Sequence, residues 1–214
     1  MTTQIAVIGL GLFGSAVATT LAEQGQHVLG IDIDEKATSA LMQQLAEVVT
    51  VTEINESILQ SLSITEYDAV VVGITDIEAS LTIAQMLRDL GVKHIVCKAK
   101  SPVHGKILVR IGVDRVIYPE RDMGMRVAQT LVASSILGSI VLSPQQHIVT
   151  VLAPESCIGH PVGTFPWRTE TKIAILAIHR GTEAHANPGA TFVIQKDDVL
   201  VLLGSSADIA TVVA

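Results

Sequence analysis

Three glycines near the amino end of the chain have the spacing of a phosphate-binding turn. Gly9, Gly11 and Gly14 follow an apolar run, Gln4–Ile8, that is typical of a buried strand. In such a turn the first glycine permits the tight bend, the second lets backbone amides approach a phosphate, and the third lets the next helix pack closely on the strand. Asp32 follows about 20 residues later, where a carboxylate can accept hydrogen bonds from ribose hydroxyls. The pattern predicts a nucleotide-binding site, and the alternative is a glycine-rich turn that binds nothing.

The elements that must position these residues alternate between strand and helix. After the first two strands, further strands are predicted at Val48–Val51, Asp68–Gly73, His94–Ala99 and Arg115–Tyr118. Helices begin at the N-cap residues Asn55, Asp76 and Ser101, and glycines end two of them. Six strands with five intervening helices predict an α/β fold, a Rossmann-like doubly wound parallel sheet with the strand order 3-2-1-4-5-6.

Beyond Pro119 the sequence pattern changes. A helix is predicted from about Glu120 to Leu137 as a link between two units. Short strands separated by Gly- and Pro-rich loops then predict a small α+β module. Those strands are His147–Ala153, Lys172–His179, Thr191–Ile194 and Asp198–Gly204. We therefore expect a nucleotide-binding domain over residues 1–121, a linking helix over 122–139 and a small carboxy-terminal domain over 140–214.

Composition excludes several classes of protein. The formal net charge is −7, and the 14 basic residues are spread along the chain. Nucleic-acid binding is therefore not expected, because phosphate neutralisation needs a clustered basic face. The longest apolar runs are far shorter than the roughly 20 residues that cross a bilayer. The start of the chain has no basic segment before its first strand, which predicts a cytoplasmic location. Cys97 and Cys157 are predicted to be buried side chains rather than a disulfide or a metal site.

Residues for catalysis are scarce. The histidines His147, His160, His179 and His185 are scattered without metal-ligand spacing or a carboxylate paired in sequence. No P-loop, no G-x-S-x-G and no paired cysteine motif is present. We therefore expect a binding protein and not an enzyme. Two alternatives remain open: a small NAD(P)-dependent reductase, which needs a substrate pocket, and an NAD(H)-binding redox sensor.

A second informative segment runs from Tyr118 to Gly124. It follows the carboxyl end of a predicted sheet strand and begins a helix, so an acidic side chain there could reach a ligand or a bound cation at the edge of the sheet. Helix capping with solvated ion pairs explains the same residues equally well.

Taken together, these segments resemble the RCK (regulator of potassium conductance) family, in its KtrA and TrkA type. The resemblance rests on Ala6–Gly11, Val28–Asp34, Lys98–Ala99, Gly112–Ile117 and Pro119–Gly124 in the amino-terminal part. Ile173–Ile178 and Pro188–Gly204 match the RCK carboxy-terminal domain more loosely. The likeness covers nearly the whole chain.

The resemblance implies a cytosolic gating subunit of a potassium transporter. It implies a homo-octameric ring built from dimers, docked beneath an integral-membrane transporter subunit of the KtrB or TrkH type, and thus peripheral at the inner face of the cell membrane. ATP or ADP bound in the amino-terminal domains would set the shape of the ring, with ATP favouring activation. NAD or NADH are the other candidate ligands.

The resemblance also implies the residues of the site. The cofactor-binding set is Gly9, Gly11, Leu12, Phe13 and Gly14 in the turn, Asp32 and Asp34 at the ribose, and Thr52, Glu53, Ile74, Thr75, Lys98 and His104 around the adenine and phosphates. Glu120 would approach the γ-phosphate across the dimer interface and share a cation there, such as Mg, Ca or Na.

The chain also departs from the family pattern. Leu12 stands where relatives commonly carry an arginine, which removes a charge-assisted hydrogen bond of about 1.5–3 kcal/mol. Thr52–Asn55 replaces a Gly-Asp-Ala-Thr-like loop. In some relatives a carboxy-terminal dimer binds cyclic di-AMP in an apolar cleft, which Phe165, Trp167 and Ile175 would line here; core packing is the alternative.

Overall fold

The computed structural model describes residues 2–132, 136–143, 145–165 and 172–213, and the chain divides into two compact units, Met1–Glu120 and Arg121–Ala214. The strands are β1 (Gln4–Ile8), β2 (His27–Asp32), β3 (Glu47–Thr50), β4 (Ala69–Val72), β5 (Ile95–Lys98), β6 (Arg115–Ile117), β7 (Ile136–Ser143), β8 (Gln146–Leu152), β9 (Ala174–Arg180), β10 (Glu183–Ala186) and β11 (Val199–Gly204). The α-helices are α1 (Leu12–Glu23), α2 (Glu35–Ser39), α3 (Glu56–Ser61), α4 (Ile77–Asp89), α5 (Pro102–Ile111), α6 (Pro119–Val132) and α7 (Ser206–Val213).

The first unit contains the predicted parallel sheet, and its order, β3-β2-β1-β4-β5-β6, confirms the prediction. Ile8, the last residue of β1, is in register with Ile31 of β2 on one side and Val72 of β4 on the other. After β1 the chain returns to the sheet at β2, on one side of β1, and after β4 it returns at β5, on the side away from β1. The strand order therefore reverses between the adjacent strands β1 and β4. Ligands of such sheets bind in the crevice at this reversal point, outside the carboxyl ends of the strands.

Side chains of β1 alternate between two apolar cores, one on each face of the sheet. Ala6 and Ile8 pack in a core that includes residues of α3, α4 and α5. Ile5 and Val7 pack on the opposite face, in a core that includes Ala18 of α1. Because both faces are covered, the strands are nearly continuous apolar runs, as expected for a buried parallel sheet.

The helix starts follow the predicted capping residues. The side-chain oxygen of Asn55 accepts the Ile58 N–H at 2.9 Å, and that of Asp76 accepts the Ala79 N–H at 2.9 Å. Each of these bonds satisfies one of the backbone donors that the first turn of a helix leaves without a partner.

The second unit contains a five-stranded antiparallel sheet in the order β10-β9-β11-β8-β7. Leu200 and Leu202 of the central strand β11 are fully buried, and Ile209 of α7 packs in the same core. Asp198, just before β11, is also fully buried and accepts two hydrogen bonds from the Arg180 guanidinium, each at 2.8 Å. An apolar core and the ion pair of buried Asp198 with Arg180 thus help to hold the small α+β unit together.

The second unit departs from the prediction in three places. A helix was predicted to continue to Leu137, but Ile136–Ser143 forms strand β7, which pairs with β8, and the described helix is Pro119–Val132. The predicted linking segment 122–139 is therefore helical only in part. Strand β10 was not predicted. Thr191–Ile194 was predicted as a strand, but within the described chain it contributes only an isolated bridge between Val193 and Pro161. Whether these segments form strands depends on their pairing with neighbouring strands, which no local sequence pattern reveals.

Among the residues described, no helix is both long and apolar enough to cross a membrane.

Candidate functional site

A cavity of about 640 Å³ opens at the carboxyl ends of β1, β2 and β4 in the first unit. Its wall consists of Gly9, Gly11, Asp32, Ile33, Thr52, Glu53, Ile54, Gly73, Ile74, Thr75, Asp76, Glu78, Ala79, Thr82 and Ile83. The volume lies within the range of about 300–1,000 Å³ that small-molecule sites occupy. The cavity is at the reversal point of the sheet, where ligands of this fold bind.

The glycine turn is built for close approach. Gly9 has a φ of +90°, a backbone conformation that disfavours other residues. A Cβ on Gly14 would overlap the carbonyl oxygen of Gly9, so helix α1 can approach the turn only with glycine here. A Cβ on Gly11, in contrast, would meet no atom within 4 Å. Gly11 is therefore open towards the cavity, and the absence of its side chain serves no packing purpose within the chain.

The carboxylate of Asp32 is held by backbone amides on both oxygens. The Leu10 N–H donates to Oδ2 at 2.5 Å, and the Asp34 N–H donates to Oδ1 at 2.9 Å. Each carboxylate oxygen has a second lone pair for another donor. Asp32 is thus fixed in orientation at the cavity wall, with acceptor capacity left for hydroxyl groups of a ligand.

Asp34 has a different position. Its Oδ1 accepts the Lys36 N–H at 2.9 Å as the N-cap of α2, and it is not part of the cavity wall. Glu53 follows β3, the neighbour of β2, and its Oε1 accepts a hydrogen bond from Asn55 Nδ2 at 2.6 Å.

Lys98 lies behind the wall rather than in it. Its side chain is only 7% exposed, and Nζ lies 3.2 Å from the Thr75 hydroxyl and 3.2 Å from Oε1 of Glu120. Glu120 is in the first turn of α6 and is 71% exposed. A hydrogen bond from its own backbone N–H, and then one from Lys98, hold the pKa of the Glu120 carboxyl below its usual value. Glu120 is therefore a carboxylate near neutral pH.

His104 is buried at the start of α5. Nδ1 accepts the Lys100 N–H at 3.2 Å, so the proton of the neutral ring is on Nε2, which is buried without a hydrogen-bond partner in the part of the chain described. Burial lowers the pKa of His104 and keeps the ring neutral. His104 is not among the wall residues.

The structure brings together half of the predicted binding set. Gly9, Gly11, Asp32, Thr52, Glu53, Ile74 and Thr75 line the cavity. The others do not line it: Leu12 is 96% exposed, Phe13 packs against the core beneath α1, Gly14 lies under the turn, and Asp34, Lys98, His104 and Glu120 have the positions given above.

Sequence reasoning missed one side of the wall, which comes from α4. Ala79, Thr82 and Ile83 have the i, i+3, i+4 spacing of a single helix face, and Asp76 caps the same helix. That spacing was visible in the sequence, but the parallel pairing of β1 with β4 is what places this face beside the glycine turn.

The wall is acidic. It includes the carboxylates of Asp32, Glu53, Asp76 and Glu78, and no lysine or arginine is among its described members. The described part of the chain also contains no group of three or more His, Cys, Asp or Glu residues that could hold a metal ion. The cation expected at Glu120 stays a prediction.

In the second unit, Phe165 is buried in the apolar core and Ile175 packs against it. Trp167, the third residue considered for a cyclic di-AMP cleft, lies outside the described residues. Core packing accounts for the two side chains that the structure describes.

Family models match both units. The TrkA-N domain matches residues 5–119, and the TrkA-C domain matches residues 147–214. The chain belongs to the TrkA-N and TrkA-C domain family. Among relatives of this family, the "Ktr system potassium uptake protein C" of Bacillus subtilis (strain 168) is 36% identical over 98% of this chain and 96% of its own length. The "Ktr system potassium uptake protein A" of the same organism is 34% identical over 96% and 93%, respectively.

Solved structures share the fold of this TrkA-N and TrkA-C chain. The GsuK RCK domain superposes with a TM-score of 0.71 at 18% identity, covering 100% of this chain and 48% of that one. A GsuK channel bound to NAD gives a TM-score of 0.67 at 18% identity, covering 99% of this chain and 39% of that one. The chain thus spans less than half of these GsuK chains. At this identity the likeness shows the fold alone, and it agrees with the RCK-type fold expected from the sequence.

Proposed function

We propose that this chain is a nucleotide-binding regulatory subunit of a bacterial potassium uptake system. The observation that carries the proposal is the cavity at the reversal point of the sheet, where an open glycine turn faces a carboxylate fixed on both oxygens. Two relatives that match nearly the whole chain are named as potassium uptake proteins of the Ktr system.

The ligand is an adenine nucleotide, ATP or ADP, with NAD or NADH as the alternative. Asp32 accepts the ribose hydroxyls with its free lone pairs, and the backbone at Gly11 receives a phosphate, because no side chain stands in the way. The GsuK channel with this fold has been solved with NAD bound. The exposed Leu12 adds no charge at the turn, so discrimination between ATP and ADP has to come from other groups.

Regulation follows from a difference in affinity. A nucleotide shifts an equilibrium between two shapes of an assembly only by as much as it prefers one of them, and several sites acting together multiply a modest preference. In this proposal the assembly is a homo-octameric ring of dimers on an integral-membrane transporter subunit of the KtrB or TrkH type, at the inner face of the cell membrane. A cation shared by Glu120 and the γ-phosphate, and cyclic di-AMP in the carboxy-terminal unit, belong to this proposal as further ligands.

The proposal assigns no catalytic role to the chain. In the described part of the chain, His160 and His185 contact aromatic rings, of Phe165 and Phe192, and neither lines the cavity. A reductase or an NAD(H)-dependent redox sensor is an outcome that the test below distinguishes.

The test combines binding with assembly. Calorimetry with ATP, ADP, NAD and NADH, and light scattering in each condition, are carried out on the wild type and on Asp32→Ala. We expect an octamer that binds adenine nucleotides, and a loss of about tenfold or more in affinity for Asp32→Ala, because hydrogen bonds to a charged acceptor are worth about 1.5–3 kcal/mol. Asp89→Ala is the matched control, because Asp89 is exposed, lies outside the cavity wall and accepts a hydrogen bond from Gln85 of its own helix.

A functional readout completes the test. Co-expression with a transporter subunit in cells that lack their own Ktr regulatory subunits should restore potassium uptake for the wild type and less so for Asp32→Ala. Selective NAD(H) binding by a dimer, with no effect on uptake, contradicts the proposal and favours the redox alternatives.

A further inference from the structure

One ammonium group connects the cavity wall to the first turn of α6. Lys98 Nζ lies 3.2 Å from the Thr75 hydroxyl, which lines the cavity, and 3.2 Å from Oε1 of Glu120, which does not. The Lys98 side chain is almost fully buried, and burying an ammonium is costly unless it has hydrogen-bond partners such as these two. An ammonium has three N–H donors, and these two bonds use two of them.

The bond from Lys98 decides what Thr75 can offer to a ligand. Because the Thr75 oxygen accepts from Nζ, the hydroxyl proton is available to another acceptor, and no further bond of Thr75 is found in the described chain. Thr75 therefore presents to the cavity a donor that a neighbouring cation polarises. An anionic oxygen bound there would lie next to the buried Lys98 ammonium.

Glu120 should bind the Lys98 ammonium less strongly than a phosphate would. It is largely exposed, and its own backbone N–H also bonds the carboxylate, so water and the helix start can satisfy it without Lys98. Ion pairs with one solvated partner contribute little and are readily exchanged. A terminal nucleotide phosphate carries more negative charge than a single carboxylate, so it attracts the ammonium more strongly.

We propose that Lys98 exchanges partners when a phosphate-bearing ligand binds: its ammonium bonds the phosphate together with the Thr75 hydroxyl, and Glu120 is released at the start of α6. This inference rests on the proposed nucleotide-binding function. In the free protein Glu120 therefore competes in cis with the ligand for Lys98. Ligand binding and the freedom of the Glu120 carboxylate are coupled, and the coupling is reciprocal: a cation that binds the released carboxylate strengthens nucleotide binding.

The test uses ADP as the phosphate-bearing probe and adenosine as the probe without phosphate, by calorimetry in the absence of divalent cations. We expect Glu120→Gln to bind ADP about two- to five-fold more tightly than the wild type, the size typical of an exposed ion pair, and to bind adenosine equally well. Asp122→Asn is the matched control: it removes the same charge from the same helix turn, but Asp122 pairs with Arg121 and has no bond to Lys98. We expect Asp122→Asn to leave both affinities unchanged.

A double-mutant cycle with Lys98→Met provides the second measurement. In the Lys98→Met background the effect of Glu120→Gln on ADP affinity should vanish, because the shared ammonium is gone.

The possible outcomes distinguish a failure of the proposed partner exchange from a failure of the proposed nucleotide binding. If ADP and adenosine both bind, and Glu120→Gln binds ADP no more tightly than the wild type or tightens adenosine to the same degree, the partner exchange is overturned and the binding function stands. Persistence of the Glu120→Gln effect in Lys98→Met overturns it as well. If the wild type binds neither probe, the proposed function itself fails.

Discussion

Replacing Gly11 by alanine is the sharpest test of the glycine turn. Gly11 is the N-cap of α1 with φ −64° and ψ −172°, a conformation that alanine adopts without strain. The added methyl group would meet no protein atom within 4 Å. The substitution therefore changes the cavity while leaving the packing of the fold untouched.

Two small effects on stability oppose each other. Alanine lowers the entropy of the unfolded chain, which stabilises by about 0.4–1 kcal/mol. Alanine is a poorer N-cap than glycine, which costs a similar amount, about 0.5–1 kcal/mol. We expect the free energy of unfolding of Gly11→Ala, measured with urea, to stay within about 0.5 kcal/mol of the wild type.

Binding should respond much more strongly. If the backbone at Gly11 receives a phosphate, the methyl group keeps the phosphate away from at least one amide. Losing one hydrogen bond to a charged group costs about 1.5–3 kcal/mol, or at least about tenfold in affinity for ADP or NAD. Adenosine, which lacks the phosphate, should bind with nearly unchanged affinity.

Two other glycines serve as controls. Gly124 in α6 has open space around it, so Gly124→Ala should leave binding unchanged. Gly14→Ala should lower stability by about 1–3 kcal/mol, because its methyl group overlaps the Gly9 carbonyl. If Gly11→Ala binds ADP and NAD within twofold of the wild type while folded, phosphate does not lie over Gly11 and the reasoning is wrong.

Three further predictions concern charged and thiol groups. Asp198→Asn should cost about 2 kcal/mol of unfolding free energy, less than for a fully enclosed pair because a third of the Arg180 side chain is exposed. The hydrogen bond from Arg180 is the main cause that holds the pKa of Asp198 below its usual value. The difference in unfolding free energy between variant and wild type should therefore be full above pH about 4 and shrink as the pH falls below it. Lys98→Met should raise the pKa of Glu120, measured by NMR titration, but not to its ordinary value, because the backbone N–H of Glu120 still donates. Burial raises the pKa of Cys97 to about 12, so this thiol should react with a disulfide reagent at pH 8 only after unfolding; reaction in the native protein would contradict the placement.

Much of the first unit was predictable because its elements are specified locally. Asn55, Asp76 and Ser101 each accept a backbone N–H at the start of the predicted helix, so capping residues gave the helix starts. The strand order followed from the alternation of strands and helices and from the position of the glycine turn. Asp32 could be placed at the cavity because a parallel strand fixes where its last residue lies.

Residues whose positions depend on long-range pairing were predicted less well. Lys98 at the end of β5 was expected near the phosphates, and that contact stays a prediction. The sequence did not reveal that its ammonium lies behind Thr75, because this depends on β5 being one strand further from the glycine turn than β4. In the second unit, Ile136–Ser143 is a strand because it pairs with β8, and the local sequence does not indicate this pairing.

The cavity wall is assembled from chain segments that are far apart in sequence. Its members run from Gly9 to Ile83, and the two central strands join Ile5 to Ala69. Contacts of such long sequence separation form slowly, because a large loop must close before they contribute. During synthesis, a nascent chain cannot hold nucleotide until α4 has left the ribosome and β4 has docked beside β1. The proposed nucleotide binding would therefore report that the segment from Gly9 to Ile83 has folded, and free nucleotide would favour that folded state over less folded intermediates by mass action.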